Sequence, residues 1–242
     1  MIVFKSITKK FGTSIALRDL TFSVKEDEVV GLIGNNGAGK STIINLLANL
    51  LPFNSGEIFV FDKKLTVNHL SYKSKTGFIL SKPFYIEDFS TKQYLKFVGK
   101  FQKIPSDVLN KRSEDLFKKL NFTESKKPIS KLSKGNQMKV SIIASLVHNP
   151  SLLLYDEPFV NLDIDSQETL KSLVKEMKGK KTILITSHNL DLVLDVCDRF
   201  LVIDSGELIL DKLKIEPVEK LKKEIKDLTH KKKETTNIDW LK

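Results

Sequence analysis

The chain has 242 residues, enough for one α/β domain with a substantial core and a smaller attached subdomain. Its 40% hydrophobic content is that of a globular chain, apolar runs such as Ser151–Tyr155 and Thr182–Thr186 are far too short to span a bilayer, and the opening MIVFKSITKKFG lacks a secretory core, so cytoplasmic residence is expected. The lone cysteine, Cys197, excludes an internal disulfide and, beside Val193, Leu194 and Val196, reads as packing; the net charge of +10 is spread over lysines with no aromatic-plus-basic platform, so no nucleic-acid partner is expected.

In chain order, Ile2–Ile7 and Leu20–Val24 alternate apolar and polar residues and predict half-buried antiparallel strands, whereas the continuously apolar Val29–Ile33 predicts a buried one. A glycine-rich turn follows, then a helix over Ser41–Leu51 that Pro52 should stop, then a strand over Glu57–Phe61. From about Lys82 to Met138 the pattern changes. Thr91–Phe101 and Asp107–Leu120 are amphipathic and Lys-rich, predicting an inserted helical subdomain. The β/α alternation resumes with a strand at Leu152–Tyr155, a helix near Ser166–Met177, a strand at Lys181–Thr186, and a strand pair over Phe200–Leu210 turning at Ser205-Gly206. Val218, Leu221, Ile225 and Leu228 recur at helical spacing before the polar run HKKKETTN. The expected division is 1–81 (antiparallel strands and the first part of an α/β core), 82–140 (helical), 141–211 (the rest of the core) and 212–242 (a basic tail).

Gly34-Asn35-Asn36-Gly37-Ala38-Gly39-Lys40-Ser41 satisfies the P-loop pattern between a buried strand and a helix, the context that motif requires. Glycines let successive amides surround phosphate oxygens, the helix presents its positive end, Lys40 reaches the β- and γ-phosphates, and Ser41 ligates magnesium. Leu152-Leu153-Leu154-Tyr155-Asp156-Glu157 is an apolar strand ending in two carboxylates where an α/β sheet presents ligands. Asp156 suits a magnesium ligand and Glu157, one residue further out, the polarisation of an attacking water. His69, His148 and His230 have no comparable context.

On these residues the chain resembles the ATP-binding cassette family over nearly all of Met1 to Asp211. Leu132-Ser133-Lys134-Gly135-Asn136-Gln137 resembles the LSGGQ signature, implying that Ser133, Gly135 and Asn136 contact ATP held by an opposite subunit from a helix N-terminus. Leu162-Asp163 resembles the D-loop, Ser187-His188 the switch histidine, and Phe11 before Gly12 the aromatic that stacks on adenine. The resemblance implies a P-loop NTPase core of the RecA-like, mainly parallel type with an N-terminal antiparallel β-subdomain and an inserted helical subdomain. It also implies Glu157, His188 and Lys40 as catalytic residues, and Phe11, Gly34, Asn35, Asn36, Gly37, Ala38, Gly39, Lys40, Ser41 and Thr42 as nucleotide contacts. The cofactors would be ATP and magnesium, the ion held by Ser41 and Asp156. Two departures stand out. Ser81, in the loop Gly77–Pro83, replaces the glutamine of the Q-loop and could reach a metal only through water; Lys134 and Asn136 replace a glycine and the glutamine of the signature. The expected partners are a second copy, or another ABC ATPase, and a membrane-spanning permease subunit, with the chain peripheral at the inner face of the cell membrane and transport directed outward. The alternatives are a soluble ABC ATPase acting on ribosomes or nucleic acid, and a nucleotide-gated subunit with little hydrolysis.

Overall fold

A computed structural model describes residues 1–82, 85–86, 88–215 and 217–230. Its first elements are strands β1 (Ile2–Phe11), β2 (Ser14–Val24) and β3 (Val29–Ile33), helix α1 (Lys40–Leu47), and strands β4 (Ser55–Val60), β5 (Lys63–Lys64) and β6 (Thr76–Ile79). Helices α2 (Thr91–Phe101), α3 (Ser106–Lys119) and α4 (Lys134–Leu146) come next. The chain then runs through β7 (Leu152–Asp156), α5 (Ile164–Met177), β8 (Thr182–Ser187), α6 (Leu190–Val196), β9 (Arg199–Asp204), β10 (Glu207–Leu213) and α7 (Val218–His230).

Two sheets organise these elements. A four-stranded antiparallel sheet in the order β2-β1-β4-β5 lies beside a six-stranded sheet in the order β10-β9-β3-β8-β7-β6, in which only the edge strand β10 runs antiparallel. The fold is thus the P-loop NTPase architecture expected, with its antiparallel N-terminal sheet. Side chains along a strand alternate between faces, and here both faces are covered. Val30, Leu32, Leu152, Leu154 and Leu184 enter one core with α1 and the antiparallel sheet. Val29, Ile33, Leu153, Tyr155, Ile183 and Ile185 enter the other, with α4, α5 and α6.

Several expectations need correction. The helix after the glycine turn ends at Leu47, well before Pro52. Asn49 takes the left-handed conformation (φ 53), the Asn49 amide donates to the Leu46 carbonyl and the Leu50 amide to the Asn45 carbonyl, a Schellman termination that asparagine tolerates without a glycine. β1 and β2 are longer than their alternation suggested, because bulges with Ser6 and Asp19 at positive φ interrupt the two-residue period that reveals a strand. Gly77–Ile79, expected in a loop, belongs to β6, whose four residues are too few for a legible pattern yet pair in parallel with β7 from Thr76↔Leu152 to Ile79↔Tyr155. α4 runs unbroken from Lys134 to Leu146, across position 140, and β10 continues to Leu213. The helix foreseen in the tail is present as α7, with Leu221 and Ile225 buried; most of the run HKKKETTN lies outside the described residues. Among the described residues no helix is long and apolar enough to cross a membrane.

Candidate nucleotide-binding site

The site is built where parallel strands end. β3 leads directly into residues 34–39, and Gly39, at φ 111, hands the chain to α1. A Cβ there would lie 2.7 Å from the Leu17 side chain and 2.9 Å from the Ala16 carbonyl, so the left-handed turn and its close seat against β2 both require glycine. The first turn of α1 carries neither a side-chain cap nor an acidic residue, an arrangement that an anion completes.

Lys40 is buried against this turn. Its Nζ donates to the carbonyls of Gly34 (2.7 Å) and Asn35 (3.2 Å) and stands 3.8 Å from Glu157 Oε1. Burial pushes its pKa below the usual lysine value, and the charges of Glu157 and Asp156 pull it back up. Asp156, the last residue of β7, is only 1% exposed. Thr186 on neighbouring β8 holds both carboxylate residues: its Oγ1 donates to Asp156 Oδ1 (2.6 Å) and accepts from the Glu157 amide (3.0 Å). Glu157 sits at φ 52, a left-handed conformation that costs a non-glycine residue about 1 kcal/mol or more. Its Oε2 lies 3.0 Å from Nδ1 of His188, which directly follows β8. Strand pairing therefore fixes a chain of contacts from Lys40 through Glu157 to His188.

These groups border two cavities. Asn36, Gly37, Gly39, Lys40, Ser41, Thr42 and Glu157 line one of about 230 Å³, together with Ala16. Gly34 and Asn35 line a second of about 380 Å³ with His188. Ala38 closes the turn between them, its amide donating to the Asn35 carbonyl at 3.1 Å. The hydroxyl of Ser41 and the carboxylate of Asp156 are hard oxygen donors of the kind magnesium takes while keeping substrate phosphates and water as its other ligands.

The remaining expected residues are placed less centrally. Phe11 is 49% exposed at the end of β1, with Lys9 Nζ 4.7 Å over its ring, on the hairpin whose other strand carries Ala16. Ser81 is exposed two residues beyond Ile79, the register partner of Tyr155, and so lies at the same end of the sheet as Asp156. Ser133 caps α4, accepting from the Asn136 amide at 3.2 Å, and Asn136 Nδ2 donates to Glu124 at 2.6 Å. None of Ser133, Gly135 and Asn136 lines the P-loop cavity. Gly135 adjoins the approach to the D-loop of its own chain instead: a Cβ on it would fall 2.8 Å from the carbonyl of Asn161, the residue before Leu162. Asp163 caps α5 through Ser166, a bond that holds its carboxyl below the usual aspartate range. Thr186 and Ala16 escaped the sequence reading. Their only signals, a polar residue near the end of a buried strand and a small one opposite a glycine, are too common to act on.

Residues 17–160 match the family model described as ABC transporter. An uncharacterised ABC transporter ATP-binding protein of Methanocaldococcus jannaschii is 32% identical over 86% of this chain and 76% of its own length. The linearmycin resistance ATP-binding protein of Bacillus subtilis is 32% identical over 86% of this chain and 68% of its own. The zinc import ATP-binding protein of Rickettsia conorii is likewise 32% identical, over 84% and 83%. Among solved structures, a dimeric ATP-binding cassette in a post-hydrolysis state with ADP and phosphate bound superposes with a TM-score of 0.82 over 90% of this chain and all of that one, and at 24% identity it speaks for the fold.

Proposed function

Because the chain belongs to the ABC transporter family and is one of its ATPase subunits, we propose that it drives a separate membrane-spanning permease as half of a nucleotide-sandwiching dimer. The observation that carries this reading is the contact chain Lys40–Glu157–His188 at the lip of a P-loop. Arriving phosphate would draw Lys40 from the Gly34 and Asn35 carbonyls onto the β- and γ-oxygens, while the loop amides from Asn36 to Thr42 complete the cradle. Glu157 accepts a hydrogen bond from the attacking water and orients it in line with the γ-phosphorus; His188, held by Glu157, faces the transferring group. Ser41 and Asp156 would hold magnesium, with Ser81 reaching it only through water; the ion would neutralise charge on the phosphates. Phe11 would stack on adenine.

The signature adjoins its own D-loop and is absent from the lining of its own P-loop cavity, so Ser133, Gly135 and Asn136 would serve ATP held by a second copy or another ABC ATPase, with Asp163 beside the shared interface. A groove of about 290 Å³ between β6, α2 and α4, lined by Phe78, Leu80, Tyr85, Val98 and Phe101, offers an apolar seat beside Ser81 for the permease. This would place the protein peripherally at the inner face of the cell membrane. The relatives of equal identity include both a resistance protein and a zinc importer, and of the two directions we propose export. Export predicts that deletion sensitises cells to a toxic compound, whereas an importer would show a nutrient requirement instead.

The deciding experiment is affinity purification from detergent-solubilised cells with mass spectrometry and an ATPase assay. A polytopic membrane protein in stoichiometric amount, with phosphate release, is the expected result; ribosomes or nucleic acid in its place would overturn the transporter reading.

A further inference from the structure

His188 stands on a short connection between Ser187, the end of β8, and Asn189, the N-cap of α6. A seven-residue helix is too short to hold itself, so α6 takes its position from what packs against it. Val193, Leu194 and Val196 anchor its inner face. Its two ends are tied to different elements. Asp195, near the far end, pairs with Lys171 (3.4 Å) and Lys175 (2.8 Å) of α5. Asp191, in the first turn and three residues from His188, pairs with Lys222 of α7 at 2.5 Å. α7 is itself fixed, by the buried Leu221 and Ile225 and by the pair of Lys212 on β10 with Glu224 (2.6 Å). Further along α7, Ile225 and Lys226 wall the same cavity as Gly34, Asn35 and His188. The helix lies outside the residues that the family model matches, so nothing in that match assigns it a role.

We propose that α7 positions the switch histidine: Lys222, acting through Asp191, fixes the first turn of α6 and with it the direction from which His188 meets Glu157 and the nucleotide. Lys222 is a positioning residue, touching neither substrate nor the reacting atoms. The geometry is that of a strut. α5 holds one end of α6, α7 holds the end next to the site, and release of the second end lets the first helical turn fray where helices fray most readily. The inference rests on the catalytic role proposed for His188.

Steady-state phosphate release by the full-length chain across ATP concentrations tests it. Lys222→Ala should lower kcat about threefold to fivefold, as loss of one partly exposed ion pair allows, and leave the KM for ATP within about twofold because the P-loop is untouched. Lys222→Arg should restore kcat. Asp191→Asn, which cuts the same pair from the other side, should match Lys222→Ala and add nothing to it. In a His188→Ala background Lys222→Ala should cost nothing further. Unchanged kcat in both single variants with circular dichroism intact, or an undiminished loss in the His188→Ala background, overturns the role of α7 while leaving that of His188 standing. Full turnover by His188→Ala alone overturns the role of His188 and the present inference with it.

Discussion

The P-loop end of the six-stranded sheet and the helical region around the signature solve different problems with different materials. At the sheet end nearly every group is placed by backbone: strand register sets Asp156 beside Thr186, a left-handed glycine sets the turn, and two carbonyls hold Lys40. In the helical region position comes from side chains on the surface of short helices. Ser90 and Gln93 form a reciprocal cap on α2, Asn136 is tied to Glu124, Lys134 reaches Gln137 at 3.4 Å, and Phe101 stays 77% exposed. Substitution is correspondingly unequal. The P-loop, Asp156, Glu157 and His188 keep what the resemblance requires, whereas Ser81, on the exposed chain just beyond β6, and Lys134 and Asn136 at the signature depart from it, and the last two find local partners. A site built from backbone leaves few side chains free to change; one built from surface side chains can re-tie itself.

The sharpest way to break this contrast is at Glu157. Glu157→Gln keeps size and hydrogen bonding but removes the base, and should lower kcat at least about a hundredfold while retaining ATP binding. Retention of full phosphate release would remove Glu157 from catalysis. Next comes Thr186→Val, which keeps shape and deletes both bonds. It should cost about 1.5–3 kcal/mol of stability by thermal or urea unfolding, as loss of a hydrogen bond to a buried charge does, and about tenfold in kcat. In the helical region Gly135→Ala should fold normally yet lower turnover by about tenfold, because the added methyl must displace the Asn161 carbonyl and with it the approach of the signature to the D-loop; unaltered kinetics would separate that contact from function.

The smallest effect lies at the seam between the regions. His148, just beyond α4, contacts the Thr76 carbonyl of β6 at 3.2 Å, and burial holds its pKa below the usual histidine value. The unfolded chain therefore binds the proton first as pH falls, so this group leaves stability flat above about pH 7 and lowers it as pH falls through about 6.5, by a slope of less than one proton. His148→Gln should flatten the urea-midpoint profile between pH 7 and pH 5; an unchanged profile would assign the slope elsewhere.

The same contrast explains what the sequence disclosed. The P-loop and the Asp156-Glu157 pair were legible because chemistry there depends on residue order along one strand–turn–helix path. Thr186 was not, since a threonine in a strand is ordinary until the neighbouring strand is laid beside it. The end of α1 was misplaced because Asn49 stops a helix as well as a glycine would, and nothing in its type announces that. Ser133, Gly135, Asn136 and Asp163 are named through family resemblance alone, and local reasoning falls short there because in this chain Ser133 and Asp163 serve as helix caps, and the proposed work lies across an interface with a second molecule.

One threonine hydroxyl, shared between Asp156 and Glu157, joins the chemistry of the site to a fully buried hydrogen-bond ladder of the six-stranded sheet. β7 and β8 are buried along their full length, and amides in such strands exchange with solvent only when the whole domain opens. Hydrogen-exchange protection of the Glu157 amide, which Thr186 binds, should thus follow global stability, and heat inactivation should coincide with unfolding: the carboxylates cannot lose their geometry while the sheet survives.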